Sequence, residues 1–176
     1  MKIYLTRHGQ TDWNVLRKVC GRSEAQLTDL GRQQAAEMAE KVAATNVSLI
    51  LSSPLERARD TARIVAGRTG VPVMMEPRLI EQDFGAYEGR SVEDAEYRSN
   101  RENLFFRFPG GETTAQLIAR AYAVLEDVQR KYKDRSVLLV THGCLCRAAR
   151  TYFVEVPPGG FYRFYMNNCD LLEFEV

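Results

Sequence analysis

Only two histidines, His8 and His142, occur in the 176-residue chain, and none of its four cysteines forms a Cys-x-x-Cys pair. Without a paired cysteine or a His-x-x-x-His spacing, zinc geometry is poor. A chain of this size builds a core without disulfide staples, so a reducing, cytoplasmic setting is expected. Excess charge of one sign is also lacking: 24 Lys and Arg stand against 23 Asp and Glu, a net charge of +1. A dedicated nucleic-acid binder would carry a strong basic excess, although a local basic pocket is compatible with this balance. No apolar run approaches the roughly 18 residues of a membrane span. The apolar stretch at the N-terminus is too short for a signal peptide and reads as a strand. There is no Gly-x-x-x-x-Gly-Lys-Ser/Thr phosphate loop, which weakens an ATPase or kinase reading. Neither a repeat nor a linker interrupts the chain, so residues 1–176 are read as a single domain.

What is present is an alternation of apolar β-type runs with helical periods. It predicts an α/β fold: a three-layer sandwich with a mostly parallel central sheet and helices on both faces. Strands are expected at 2–6, 47–51, 71–75 and 136–141, with two further short ones in the tail after the turn Pro157-Pro158-Gly159-Gly160. Thr28 reads as the N-cap of a helix that buries Gly31, Ala35, Met38, Ala39 and Val42. Ser53-Pro54-Leu55-Glu56 reads as a capping box with Pro at the first helical position, opening a helix to about residue 68. A third helix from Glu112 presents Leu117, Ile118, Ala121, Val124, Leu125 and Val128, and a fourth from Gly143 presents Leu145, Ala148, Ala149 and Tyr152. Between 77 and 111 the periodicity is lost. So long an irregular segment in a compact domain is usually functional. It is read as a short lid with a brief helix near 91–101 and an aromatic cluster, Phe105-Phe106-Arg107-Phe108.

The two histidines occupy equivalent places: each follows an apolar strand and precedes a glycine. In an open α/β sheet, ligands bind outside the carboxyl ends of the strands. With these strands parallel, both imidazoles lie at that edge. Arg7 adjoins the first, and Arg57 reaches the same edge from the opening turns of the second helix. The helix beginning at Gly143 would add its N-terminus, a natural anion site. Two histidines, two arginines and a helix N-terminus describe a pocket for a dianionic phosphoryl group.

Several blocks carry a family resemblance. They are Arg7-His8-Gly9-Gln10-Thr11-Asp12-Trp13-Asn14, Leu27-Thr28-Asp29-Leu30-Gly31, Ser52-Ser53-Pro54-Leu55-Glu56-Arg57-Ala58 and Leu79-Ile80-Glu81-Gln82-Asp83-Phe84-Gly85-Ala86-Tyr87-Glu88-Gly89. Gly111-Glu112-Thr113 and Val140-Thr141-His142-Gly143 complete the set. Together they resemble, in order, the histidine phosphatase superfamily in its phosphoglycerate mutase-like branch.

The resemblance implies a mechanism without metal or organic cofactor. His8 would be the nucleophile, kept neutral by Arg7 and Arg57; these cations and His142 would stabilise the transferring group. Glu81 would be the proton donor and then the base. Asn14, Gly21 and Gly143 would join Arg7, Arg57 and His142 around the phosphate. The expected partner is a small phosphomonoester, with no nucleic acid or membrane and with a homodimer possible. Phosphatase is favoured over mutase, because the mutases of this family read Glu-Arg-His-Tyr-Gly where this chain has Glu81-Gln82-Asp83-Phe84-Gly85. A catalytically idle phosphoester-binding module is the remaining alternative. Two local readings stay open: Phe105, Phe106 and Phe108 either cover the substrate, with Arg101 or Arg107 offering a further anion contact, or pack beneath the loop; and Cys20 is either an ordinary loop cysteine or a reactive thiol with a lowered pKa.

Overall fold

The computed structural model describes all residues from Met1 to Val176. Five strands, β1 (Lys2–Arg7), β2 (Val47–Ser52), β3 (Val73–Met75), β4 (Ser136–Thr141) and β5 (Leu171–Glu175), form one sheet in the order β3-β2-β4-β1-β5. The first four run parallel and β5 closes the edge antiparallel to β1. Helices α2 (Asp29–Ala43) and α3 (Glu56–Thr69) cover one face; α5 (Thr114–Lys131) and α6 (Gly143–Arg150) cover the other. A single turn of helix, α1 (Asp12–Val15), and the short α4 (Ala95–Asn100) lie in the connections.

Strand β4 shows why both layers form. Val137 and Leu139 point into the α5–α6 core, while Leu138 and Val140 point into the α2–α3 core. A strand covered on both faces is apolar throughout, and β4 is buried at every position. Helix α2 buries the five residues expected of it, under the Thr28 cap, whose side chain accepts from the Gly31 N–H at 3.0 Å. Gly31 and Gly9 let backbones meet there. A Cβ on Gly9 would lie 2.3 Å from the Gly31 carbonyl oxygen, and one on Gly31 would lie 2.1 Å from that of Gln10. This contact seats the start of α2 against the loop that follows β1.

Several local expectations are corrected. Helix α3 begins at Glu56 with Leu55 as its N-cap and no side-chain cap, so Ser53-Pro54-Leu55-Glu56 is not a capping box. The Ser53 hydroxyl accepts from the Leu55 N–H at 3.3 Å and lies 2.7 Å from His142 Nε2 instead. The third strand is only three residues long, at the exposed edge of the sheet. One tail strand forms instead of two, and residues 154–168 make turns; Pro157 and Pro158 have no N–H to give a ladder.

The region 77–111 is packed as a small third core. Val19, Phe84, Tyr87, Tyr97 and Phe108 are buried together, with edge-to-face ring pairs such as Phe84–Phe108 at 5.0 Å. The segment before α2 is pinned to it by backbone bonds from Val19 to Arg90 (2.8 Å) and from Gly89 to Val19 (2.9 Å). Phe108 is therefore core, Phe106 packs on it, and Phe105 is 79% exposed. None of the three lines the cleft described below. Edge-to-face packing buries the rings of Phe106 and Phe108 better than a solvent-facing flap could.

Candidate active site

Strands β1 and β4 are parallel neighbours with Arg7 opposite Thr141, so the next residues, His8 and His142, emerge side by side at the carboxyl edge. Their ring centroids are 5.2 Å apart. Ser53, at the end of the adjacent strand β2, and Arg57, in the first turn of α3, complete the cluster. All four are buried, with His142 at 0% and Arg57 at 1% exposure.

Hydrogen bonding assigns the protons. His8 Nδ1 lies 2.7 Å from the Gly9 carbonyl, which can only accept, so Nδ1 carries the hydrogen. The lone pair is then on Nε2, where it accepts from Arg57 Nε at 3.2 Å. The Ser53 hydroxyl accepts from Leu55 and lies 2.7 Å from His142 Nε2, where either atom could be the donor. The buried Nδ1 of His142 has no protein partner. His8 is held well below the ordinary histidine range, first by burial and then by the charges of Arg57 and Arg7. Burial and Arg57 likewise hold His142 well below that range. The two arginines act as expected on His8, but burial is the larger cause.

The guanidinium groups are fixed from behind. Arg57 donates to the carbonyls of Ser23 (2.8 Å) and Gly21 (2.6 Å). Arg7 Nη1 donates to the Tyr165 hydroxyl at 2.9 Å and to the Met166 carbonyl at 3.0 Å, while its buried Nε has no partner. Asn14 turns its Oδ1 toward the Thr11 N–H (3.1 Å) and Asn168 (3.3 Å), which leaves its amide nitrogen as a donor. Gly143 borders the cleft beside Arg7 Nε. Gly21 is placed differently from expectation: its N–H donates to Glu88 at 3.0 Å and its carbonyl accepts from Arg57, so it serves the arginine.

Glu81 takes the place expected of the phosphate. Its carboxylate occupies the N-terminus of α6, accepting from the N–H groups of Cys144 (2.9 Å), Leu145 (3.1 Å) and Gln82 (2.9 Å). The helix end is thus an anion site, as expected, but a side chain of the protein fills it. Of the roughly four lone-pair positions of a carboxylate, one on Oε2 is left open. Cys20 borders the cleft, yet burial pushes its thiol up to about 11 against the pull of Arg57, which favours an ordinary loop cysteine over a reactive thiolate.

The cleft in front of these groups holds about 380 Å³. Its walls include Arg101, as expected, but not Arg107, whose Nη1 donates to the Gly111 carbonyl at 3.3 Å. Phe161, Tyr162, Tyr165 and Met166 also line it. That C-terminal contribution was missed, because the segment has no regular periodicity to mark it. Asn168, which donates to the His8 carbonyl at 2.8 Å, and Glu88, which accepts from the N–H groups of Gly21, Arg22 and Ser23, were missed as structural partners of the site. Glu88 lies within a recognised block, and its spacing from Gly21 gives no signal by itself. No group of three His, Cys, Asp or Glu side chains that could hold a metal ion occurs in the protein.

A buried imidazole held neutral, its Nε2 turned to Arg57, thus stands with a second histidine and Arg7 at the carboxyl end of a parallel sheet, the arrangement expected of a histidine phosphatase. The chain belongs to the histidine phosphatase superfamily (branch 1), whose profile matches residues 3–176. It is 33% identical over 178 residues to the "Probable phosphoglycerate mutase GpmB" of Enterobacter sp. (strain 638), covering 97% of this chain and 83% of that protein. Among solved structures, it is similar to a mycobacterial glucosyl-3-phosphoglycerate phosphatase complexed with VO3, with a TM-score of 0.87 and 31% identity over 98% of this chain and 91% of that one. It also resembles the alpha-ribazole phosphatase of Shigella flexneri, with a TM-score of 0.85 and 27% identity over 100% of this chain and 91% of that one. No helix is long and apolar enough to cross a membrane.

Proposed function

We propose that this protein is a metal-independent phosphatase that hydrolyses small phosphomonoesters through a phosphohistidine on His8. The observation that carries this reading is the proton arrangement of His8: Nδ1–H is tied to Gly9, and Nε2 offers its lone pair to the cleft side of Arg57. An entering phosphoryl group gives Arg57 an oxygen to hold and frees that lone pair. Nε2 then forms a bond to phosphorus while the ester P–O bond breaks. Arg7 Nε, Arg57 and His142 stabilise the equatorial oxygens. Glu81 is the group whose open Oε2 position passes a proton to the leaving alkoxide. As a carboxylate, it next takes a proton from water, whose oxygen attacks phosphorus as the P–N bond breaks.

The curated relatives named as phosphoglycerate mutases favour a second reading, transfer of the same phosphoryl group back to a glycerate. The cleft wall supports hydrolysis. Gln82 is buried and donates to Thr114 at 3.2 Å, and Phe84 is packed in the aromatic core, so neither brings a cation or a hydroxyl to the substrate. Rapid quenching with labelled substrate should trap an acid-labile, base-stable adduct that His8→Ala abolishes. Inorganic phosphate should be released from several phosphomonoesters. Interconversion of phosphoglycerates that depends on 2,3-bisphosphoglycerate, with little phosphate released, would assign the mutase reading instead. Turnover near the wild-type rate in His8→Ala would overturn both.

A further inference from the structure

Asn168 reaches the loop after β1 from near the other end of the chain. Its Nδ2 donates to the His8 carbonyl at 2.8 Å and to Asn14 Oδ1 at 3.3 Å. The partners fix the orientation of both amides. A backbone carbonyl only accepts, so the Asn168 atom facing His8 is its nitrogen. The Thr11 N–H only donates, so the Asn14 atom facing it is its oxygen. Asn14 lines the cleft and Asn168 does not, so Asn168 acts on the cleft through its neighbours.

The loop that carries Asn14 has little to hold it by itself. Helix α1 is a single turn of four residues, none of them buried, and a helix that short is not stable alone. The Asn14 side chain closes a capping box with Thr11. Asn168 adds a second donor to the same Oδ1 across 154 residues. The turn that delivers Asn168 is tied to β1 in its own right. The Cys169 N–H donates to the Arg7 carbonyl at 2.9 Å, and the Thr6 hydroxyl donates to the Asp170 carbonyl at 2.7 Å. Cys169 takes a φ of 58° there, a left-handed conformation unfavourable for a residue with a Cβ. Such strain persists where the surroundings over-determine it, and the buried Cys169 side chain packs in the α2–α3 core. The His8–Gly9 peptide is held at both ends, its oxygen by Asn168 and its N–H by the Thr61 hydroxyl at 3.1 Å.

From this arrangement we infer that Asn168 is a positioning residue for phosphate binding. It keeps the Asn14 carboxamide turned so that its NH2, and not its oxygen, faces a bound phosphoryl group. Half a turn of that amide would set a lone pair against a dianion. The inference rests on the reading of the cleft as a phosphomonoester site.

Binding of inorganic phosphate tests the role without turnover and without a bond to His8. Trp13, the single tryptophan, lines the cleft, so its fluorescence, alongside calorimetry, reports occupancy. Asn168→Ala should weaken phosphate binding about tenfold. Asn168→Leu keeps much of the outline of the side chain, adds no charge and guards against a folding loss in the alanine variant; it should weaken binding to a similar degree. In an Asn14→Ala background, removing Asn168 should cost less than about twofold, a coupling that a double-mutant cycle measures. Wild-type affinity in the Asn168 variants with only a lowered Tm, or losses that multiply in the double variant, would overturn the positioning role. Coupled losses in a protein that releases no phosphate from esters keep the role and remove the phosphatase reading. A wild-type protein without affinity for phosphate removes both.

Discussion

His8 stays neutral mainly because it is dry. Burial and the neighbouring guanidiniums both disfavour the imidazolium, so His8 and His142 stay neutral in the folded protein to a pH well below 6.5. In the unfolded chain the same groups take up protons near 6.5. Neutrality therefore contributes stability in full above about pH 6.5, and this stability is lost as the pH falls toward the folded-state values. Two outcomes are expected. The acid limb of kcat/KM set by His8 should lie clearly below pH 6.5, measured with a substrate whose own ionisation is corrected for. The Tm of the wild-type protein should fall more steeply between pH 7 and pH 5 than that of His142→Gln, which removes one of the two linked protons. An acid limb at the ordinary histidine value would contradict the buried, cation-flanked setting.

At the scale of elements, two charged side chains replace what a loop or helix end would otherwise leave unsatisfied. The first residues of α6 have no capping side chain of their own, since His142 stands at the N-cap with its ring turned to Ser53. Glu81 supplies the acceptor, and Arg120 fixes the segment that carries it, donating to the carbonyls of Arg78 and Ile80 at 2.6 Å each. Glu81→Gln keeps one acceptor oxygen but puts an NH2 group against backbone donors, at a stability cost of about 1–3 kcal/mol. Thermal denaturation should register that cost, and turnover should drop far more for alkyl phosphates than for activated aryl phosphates. Equal losses for both substrate types would move the proton-transfer role to another group. Glu88 performs the second task, accepting from three successive N–H groups of the loop whose carbonyls hold Arg57. Glu88→Ala leaves those donors without their carboxylate and loosens Arg57, so kcat/KM should fall about tenfold or more. Near-normal kinetics would show that Arg57 is held well enough by α3 alone.

For the molecule as a whole, the sheet order puts β1, β4 and β2 side by side at its centre. Three consecutive strand ends then deliver His8, His142 and Ser53 to one spot without long loops. Rigid strands hold such constellations more closely than loops do. The mechanism proposed above calls only on imidazole, guanidinium and carboxylate groups. Dialysis against EDTA should leave phosphate release unchanged. A loss of activity that added divalent metal restores would count against this mechanism.

The sequence by itself determined the layers, the faces of α2 and α5 and the pairing of His8 with His142. Each depends on a repeat of two or about 3.6 residues within one element, or on a histidine placed directly after a strand. Placement at the same strand ends carried Arg7 and Arg57 as candidates, and the family block carried Glu81. Tertiary structure decided what those candidates touch. Glu81 finds the α6 N–H groups across 63 residues and Arg7 finds Tyr165 across 158, contacts that no local period encodes. It also turned Phe106 and Phe108 inward and gave part of the cleft lining to the unpatterned segment around Phe161–Met166. Periodicity sees which face of an element is apolar, whereas the choice of neighbour for a buried charge or ring is made only when distant elements meet.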